Sequence, residues 1–366
     1  MELYACGFNA HGQLLPDNDT KHAGDLESWE RIASADKIQL LYSGWCETIF
    51  LNYNSVYRRG LNGEASISFG FKKGSQNSIV TSFFGNHNGA IGAVSPSGGL
   101  YLRSSSNMSL FLPYKNENST KLSCFAITAA EEPCAAVISP TSLPKTDFVH
   151  LASISSIQNW YENPVASAHL VRHKFSIDGH LKQFIASATA FVALIDDGSV
   201  WTWGDARHGR VLGRDLGDGG LSTKPGIVDG LDGIPIRKIA AGAWIMGAVS
   251  KDRDAYLWGM ARPGQGDKID ALCRSDDELI EEDVKLVNIG EGLDILDLAI
   301  GDGHVVILTQ GGRIFVAGDS NNGQLGLGHS QRHFIPTWTE VELFQSLEVI
   351  SIHAGDKTSF AIINSR

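Results

Sequence analysis

The stretch Gly323-Gln-Leu-Gly-Leu-Gly328 has the glycine density from which phosphate-binding loops are made. Such a loop cradles phosphates with backbone N–H groups, and it needs a lysine and a hydroxyl residue at its end with a helix to follow. Neither is present, so the stretch reads as a turn between strands. His329 and His333 lie four residues apart, but no glutamate follows His329 and no helical pattern surrounds them. A zinc pair of that spacing needs both. The acidic run Asp276–Asp283 lacks the ligand spacing of a calcium loop and is expected to be a solvated loop or short helix. No serine or cysteine sits in a nucleophile elbow and no paired carboxylates stand out, so a hydrolase or lyase has no signature here. The expectation is a chain that is not an enzyme and has no cofactor or metal.

Composition narrows the alternatives. The chain has 366 residues, 43% of them hydrophobic and 19% charged, which is the balance of a globular protein. Its net charge is −11, and Arg58-Arg59 and Lys72-Lys73 are isolated pairs, so no direct nucleic-acid contact is expected. The longest apolar stretch, Phe184–Ile195, is too short to span a bilayer. No membrane contact and no secretion signal are therefore expected. The cysteines (Cys6, Cys46, Cys124, Cys134, Cys273) are odd in number, widely separated and without a C-x-x-C pair, which points to reduced thiols in the cytoplasm or nucleus.

Forty glycines with no collagen period imply many tight turns, and they recur in phase. Residues 295–318 read as a short strand, a turn at Gly301, an apolar strand, a tight Gly311-Gly312 turn and a third strand ending at Gly318. The same phrase runs from Ile236 to Gly259 and from Phe184 to Gly204, closing on Trp258-Gly259 and Trp203-Gly204. Weaker copies begin at Ile38, Ile79 and Cys124, and the last strand of the third is hard to place. A seventh copy starts at Val349 and stops before its third strand. That strand stands at the other terminus: Leu3-Tyr-Ala-Cys-Gly7 matches Ile314-Phe-Val-Ala-Gly318, and Phe8–Leu14 parallels Asp319–Leu325.

Seven turn anchors (Gly44, Gly85, Ala130, Ala188, Gly242, Gly301, Gly355) and one split unit predict an all-β, seven-bladed propeller in which residues 1–14 complete the blade begun at 349–363. A sheet with two apolar faces must be covered on both, and a ring leaves no unpaired end. One propeller over residues 1–366 is expected, monomeric, with 140–183 irregular or bearing an insertion.

Gly301-Asp-Gly-His304, the Trp-Gly strand ends and Asn321-Asn-Gly-Gln-Leu-Gly-Leu-Gly328 resemble the regulator of chromosome condensation repeat family, with Arg207–Gly213 a looser copy of the last motif. The resemblance covers essentially the whole chain and is most specific over 184–366 and 1–14. It implies a seven-bladed propeller and, for function, one of several roles. Members include an exchange factor for a Ran-like small GTPase, partners of ubiquitin-ligase and chromatin enzymes, and small propellers that bind tRNA-modification proteins. The exchange factor's basic N-terminal tail has no counterpart here, and no projecting wedge is evident, so the chain looks more like the small adaptor members.

Repeat alignment places Trp45, His87, Trp244, Asp302, His304, Asp356 and Lys357 on one face around the central channel. Tryptophan is unexpected in such a turn and is enriched among binding hot spots. Its plainer role is to cover the channel mouth, and that of His304 is to satisfy backbone groups within its turn. Two functions follow as expectations: a non-catalytic adaptor that binds a protein through these loops, or a guanine-nucleotide exchange factor.

Overall fold

The computed structural model describes residues 1–15, 24–61, 63–69, 82–86, 88–116, 120–139, 144–217, 221–264, 268–273, 283–290, 292–328 and 333–365. Seven sheets follow one another around a ring, antiparallel except for one short strand of blade 2. Blades 1 to 6 begin with the innermost strands Ile38–Ser43, Ser82–Asn86, Leu122–Ile127, Leu181–Ala186, Ile236–Ala241 and Ile295–Ile300. Blade 7 takes its two inner strands, Val349–Ala354 and Thr358–Ile363, from the C-terminus and its two outer strands, Glu2–Gly7 and Leu26–Ser34, from the N-terminus. Glu2 pairs with Ile363 and Gly7 with Thr358. The split blade is as expected, except that the N-terminus supplies two strands rather than one.

The second strand of each blade shows why closure is required. Every residue of Ala190–Ile195 is buried. With period-two alternation, Phe191, Ala193 and Ile195 pack toward blade 3, while Val192 and Leu194 pack toward blade 5. Val305 and Ile307 likewise face blade 5, and Val306 and Leu308 face blade 7. Seven apolar clusters fill the seven gaps between neighbouring blades. Trp203 and Trp258 are fully buried on third strands, where the gap is wide enough for an indole.

Near the axis the blades nearly touch. A Cβ on Gly242 would run into the Gly301 carbonyl of the next blade, and one on Gly301 into the Gly355 carbonyl of the blade after that. Backbone hydrogen bonds cross the same gaps, from Ala188 N–H to the Ala243 oxygen (2.8 Å) and from Asp302 N–H to the Asp356 oxygen (2.8 Å). Three anchors differ from the expected register: in blade 2, Asn86, paired with Gly89, stands in place of the expected Gly85. Ser187 donates to the Ala190 oxygen and Thr128 to the Glu132 oxygen, as Gly301 does to the His304 oxygen. Ser187 and Thr128, not Ala188 and Ala130, hold the anchor positions, because the hydrogen bond that closes the turn counts back from the second strand.

A β-bulge recurs in blades 3 to 7 at Ser123, Lys182, Arg237, Leu296 and Ile350. Polar residues just beyond the bulge brace the next blade. Ile239 N–H donates to Gln183 Oε1 (2.8 Å), Ile352 N–H donates to Asp297 Oδ2 (3.3 Å), and Lys238 pairs with Asp297.

Blade 3 departs from the repeat. Its third and fourth strands, Lys145–Leu151 and Val171–Asp178, are joined by the helix Ser156–Glu162. Elsewhere the corresponding loop inserts a leucine into the forward gap: Leu14 between blades 7 and 1, Leu212 between 4 and 5, Leu325 between 6 and 7. The blade 3 helix instead packs backwards, placing Ile157, Trp160 and Tyr161 between blades 2 and 3. Blade 2 also gains a fifth strand, Ser68–Phe69, parallel to Leu110–Pro113.

Deleting residues 349–366 removes Val349, Ile352, Phe360, Ile362 and Ile363 from two gaps. Each buried side chain is worth about 1.5–3 kcal/mol, against a net stability of about 5–15 kcal/mol. The truncated chain is expected to lose cooperative unfolding altogether, and Phe360→Ala alone to cost about 3–5 kcal/mol in urea titration. A truncated chain melting cooperatively near the full-length midpoint would contradict the closure.

Candidate functional site

The first turns of all seven blades converge on the channel mouth. Gly44, Asn86, Thr128, Ser187, Gly242, Gly301 and Gly355, one from each blade, line a cavity of about 580 Å³. Trp45 and Trp244 stand on its rim, with Tyr42 in its wall and Arg262 reaching in from the loop after Ala255–Gly259. The turns are small because the blades converge there.

The expected residues divide into two groups. Asp302, His304 and Lys357 are buried, at 7%, 0% and 8% exposure, and work inside the protein rather than at a partner surface. Lys357 Nζ lies 2.6 Å from Asp319 Oδ2 and 3.7 Å from Asp302 Oδ2, and Arg262 closes on Asp302 from outside. Burial opposes the charge on Asp319, yet the Lys357 ammonium and the Asn321 amide together hold its carboxyl below the usual range. Ser359 Oγ donates to the Gln324 oxygen (2.7 Å) and stands 3.0 Å from His304 Nε2. The His304 ring therefore carries its proton on Nε2 and donates to Ser359. This turn histidine ties blade 6 to blade 7 through the Ser359 hydroxyl, rather than satisfying backbone groups within its own turn as expected.

Trp45, Trp244 and Asp356 form the second group. Trp45 is 39% exposed, Asp356 is exposed and Trp244 is half-buried. Trp244 also packs against the gap between blades 4 and 5, so covering the mouth is part of its work. Trp45 is held by the N-terminal loop of blade 7. Gln13 Nε2 donates to the Trp45 carbonyl (3.0 Å) and to the Phe8 carbonyl (2.9 Å), and the Phe8 ring lies 4.9 Å from the indole, tilted by 42°. The Phe8–Leu14 motif thus positions an exposed aromatic on the neighbouring blade.

His87, the acidic run apart from Asp283, and His329 fall outside the described residues. Sequence reasoning missed Arg262, Asp319 and Tyr42. Asp319 has a visible signal, since it follows the strand-ending Gly318. That glycine has φ +112°, and a Cβ there would strike the Gly303 carbonyl. Among the described residues no group of three metal-ligating side chains comes together, and no helix is long and apolar enough to cross a membrane.

Burial, foremost, drives the pKa values of His150, His304 and His353 down to about 4 from 6.5. The folded protein holds these rings neutral, so the unfolded chain binds more protons between about pH 6.5 and 4. Stability is then full above about pH 6.5 and falls as pH drops through that window, by up to about 1.4 kcal/mol per pH unit for each ring. The melting midpoint is expected to be level above about pH 7 and to fall steeply toward pH 4. A level profile through pH 5 would contradict this. Lys357→Met strands the Asp319 carboxylate, while Asp302 keeps Arg262, and is expected to cost about 3–5 kcal/mol, part of which Asp319→Asn should restore in the double variant.

Models of the regulator of chromosome condensation (RCC1) repeat match residues 311–362 and 295–324. The chain is 30% identical over 178 residues to the human E3 ubiquitin-protein ligase HERC2, covering 48% of this chain and 3% of that protein. It is 30% identical over 219 residues to the Arabidopsis thaliana ultraviolet-B receptor UVR8 (59% and 44%), and 25% identical over 217 residues to mouse RCC1 domain-containing protein 1 (51% and 56%). The matched stretch thus spans little more than half of these curated relatives at most. Among solved structures, Saccharomyces cerevisiae Prp20p, whose binding to Gsp1p and histones was studied with its structure, superposes with a TM-score of 0.70 at 18% identity, covering 100% of this chain and 92% of that one. Human WBSCR16 superposes with a TM-score of 0.69 at 12% identity and full coverage of both chains. At these identities the superpositions speak for the fold, and with the repeat matches they agree with the seven turns and the shared blade: the chain is a seven-bladed propeller that carries regulator of chromosome condensation repeats over residues 295–362.

Proposed function

We propose that this propeller is a non-catalytic scaffold that binds a protein partner through the channel-mouth face. The carrying observation is Trp45, an indole left 39% exposed on a rim whose backbone is fixed by Gln13 and by the turn hydrogen bonds. A large aromatic held at low entropy cost beside a cavity is the feature on which binding hot spots are built. An ordinary stable complex buries roughly 800 Å² per partner. The mode of action is recognition alone, with the propeller monomeric and working in cytoplasm or nucleus. The family resemblance puts the partner in a chromatin-enzyme, ubiquitin-ligase, tRNA-modification or small-GTPase system; of the relatives named above, HERC2 is a ubiquitin ligase and Prp20p was studied with Gsp1p and histones.

The nucleotide-exchange reading keeps one support, the superposition on Prp20p. Two measurements separate the readings. In affinity capture from native extract, Trp45→Ala is expected to lose the partner with a loss of at least about 2 kcal/mol in affinity and no change in melting temperature. Capture undiminished by Trp45→Ala would place the interface elsewhere. Strong acceleration of fluorescent-GDP release from a Ran-like GTPase would replace the scaffold reading with exchange.

A further inference from the structure

A second cavity, of about 770 Å³, lies on the flank of blade 3 and shares no lining residue with the channel mouth. The helix Ser156–Glu162, which packs backwards toward blade 2, supplies one wall through Trp160. Its neighbour Tyr161 pins the helix end: the Tyr161 hydroxyl accepts from Leu100 N–H (3.3 Å) and donates to the Gly98 oxygen (3.5 Å). That oxygen also accepts from Leu122 N–H (3.1 Å), so the helix is tied to the start of the inner strand, beside Lys121. The opposite wall is the face of blade 3 that turns toward blade 2. This face continues past the filled gap, where Val149 is buried but Val137 and Val171 are only half-buried. All three line the cavity, together with Ala168. Apolar walls around a space of roughly 300–1,000 Å³ are the setting of small-molecule sites.

Two donors border this apolar space without an acceptor. Other buried indoles donate within the chain: Trp29 to the Leu325 oxygen (3.3 Å), Trp203 to His150 Nε2 (2.6 Å) and Trp258 to the Val211 oxygen (3.1 Å). Trp160 is only 4% exposed and its ring meets Phe125 edge-on, yet its N–H has no acceptor among the described residues. The nitrogen is not sealed in protein, and the space that Trp160 borders is the cavity. An N–H in such a place is costly to leave unpaired, and a ligand oxygen would satisfy it. The second donor is Lys121, exposed at the cavity edge with no carboxylate partner among the described residues. The other two charges of the lining cancel: Lys174 Nζ lies 3.4 Å from Asp147 Oδ2, and Ser176 Oγ donates to Asp147 Oδ1 (2.5 Å). One cation and one N–H therefore remain beside aliphatic walls. They complement a single carboxylate on an apolar body, whereas a cationic ligand would meet Lys121 as a like charge.

We propose that this cavity is a binding site for a small aliphatic monocarboxylate, with Lys121 pairing with the carboxylate and the Trp160 N–H donating to one of its oxygens. The site is separate from the channel mouth, so it stands or falls independently of the scaffold reading. The probes are decanoate, decan-1-ol, decylammonium and acetate. Each is titrated below its micelle concentration into the full chain carrying 15N-labelled tryptophan, with the Trp160 indole resonance assigned by Trp160→Phe. Decanoate is expected to move that resonance saturably and downfield, as a hydrogen bond forms, and to leave the Trp45 resonance in place. Decan-1-ol, decylammonium and acetate, which lack the charge, its sign or the apolar body, should each bind about tenfold more weakly or worse. Lys121→Gln should weaken decanoate about fivefold, with decan-1-ol binding and the melting temperature unchanged. No saturable movement of Trp160, equal binding of decan-1-ol, an unaltered decanoate affinity in Lys121→Gln, or a common shift of all the indole resonances overturns the proposal. If no probe moves Trp160 while Lys121→Gln lowers capture of a protein from extract, the cavity is a protein-docking surface and the ligand site falls.

Discussion

Seven wedge-shaped sheets around an axis have no stable arrangement until the ring is shut, and here it is shut by one antiparallel pairing, Glu2–Gly7 against Thr358–Ile363. That pairing completes a blade whose two faces cover the gaps on either side, so Phe360 and Ile362 pack toward blade 1 while Ala361 and Ile363 pack toward blade 6. Loss of the pairing would leave two inter-blade clusters open at once. The cost is shared around the ring because every blade uses its neighbour as half of its core.

Polar residues complete the closure at the same place. The joint between blades 6 and 7 holds Lys357 between Asp319 and Asp302 and sets His304 against Ser359. Buried charges contribute little net stability, but their partners admit few alternatives. A shift of blade 7 by one register position would separate Lys357 from both carboxylates, so the network selects the correct register at the seam where the two termini must find each other. The bracing of successive inner strands by Gln183, Lys238 and Asp297 acts similarly along blades 4 to 7.

The same geometry produces a surface suited to recognition. The turns at the axis are small because the blades converge, and their backbone polar groups are used in crossing between blades. The residue after each anchor differs between blades: tryptophan on blade 1, alanine on blades 4 and 5, aspartate on blades 6 and 7, with Trp45 and Asp356 exposed and Asp302 buried. The helix Ser156–Glu162 replaces a repeat loop and packs backwards into the core between blades 2 and 3.

The amino-acid sequence by itself determined the blade count, the split blade and the location of the mouth. These features rest on local signals, namely period-two apolar strands, glycines where a Cβ cannot fit, and the match of Leu3–Leu14 to Ile314–Leu325. Where those signals fade, only the tertiary structure decides. The anchors at Thr128 and Ser187 lack a glycine, and the hydrogen bond that identifies them comes from the second strand. Residues 144–178 form a regular third and fourth strand whose repeat loop has been replaced by a helix, so no loop motif marked them. Above all, the sequence pointed to seven residues around one mouth, of which Trp45, Trp244, Asp302 and Asp356 line it, but could not say which way each faces. His304, Asp302 and Lys357 turn inward because they pair with one another and with Ser359 and Asp319 across a blade boundary, whereas Trp45 and Asp356 remain at the surface. Such pairing joins residues far apart in the chain and exists only once the ring has closed.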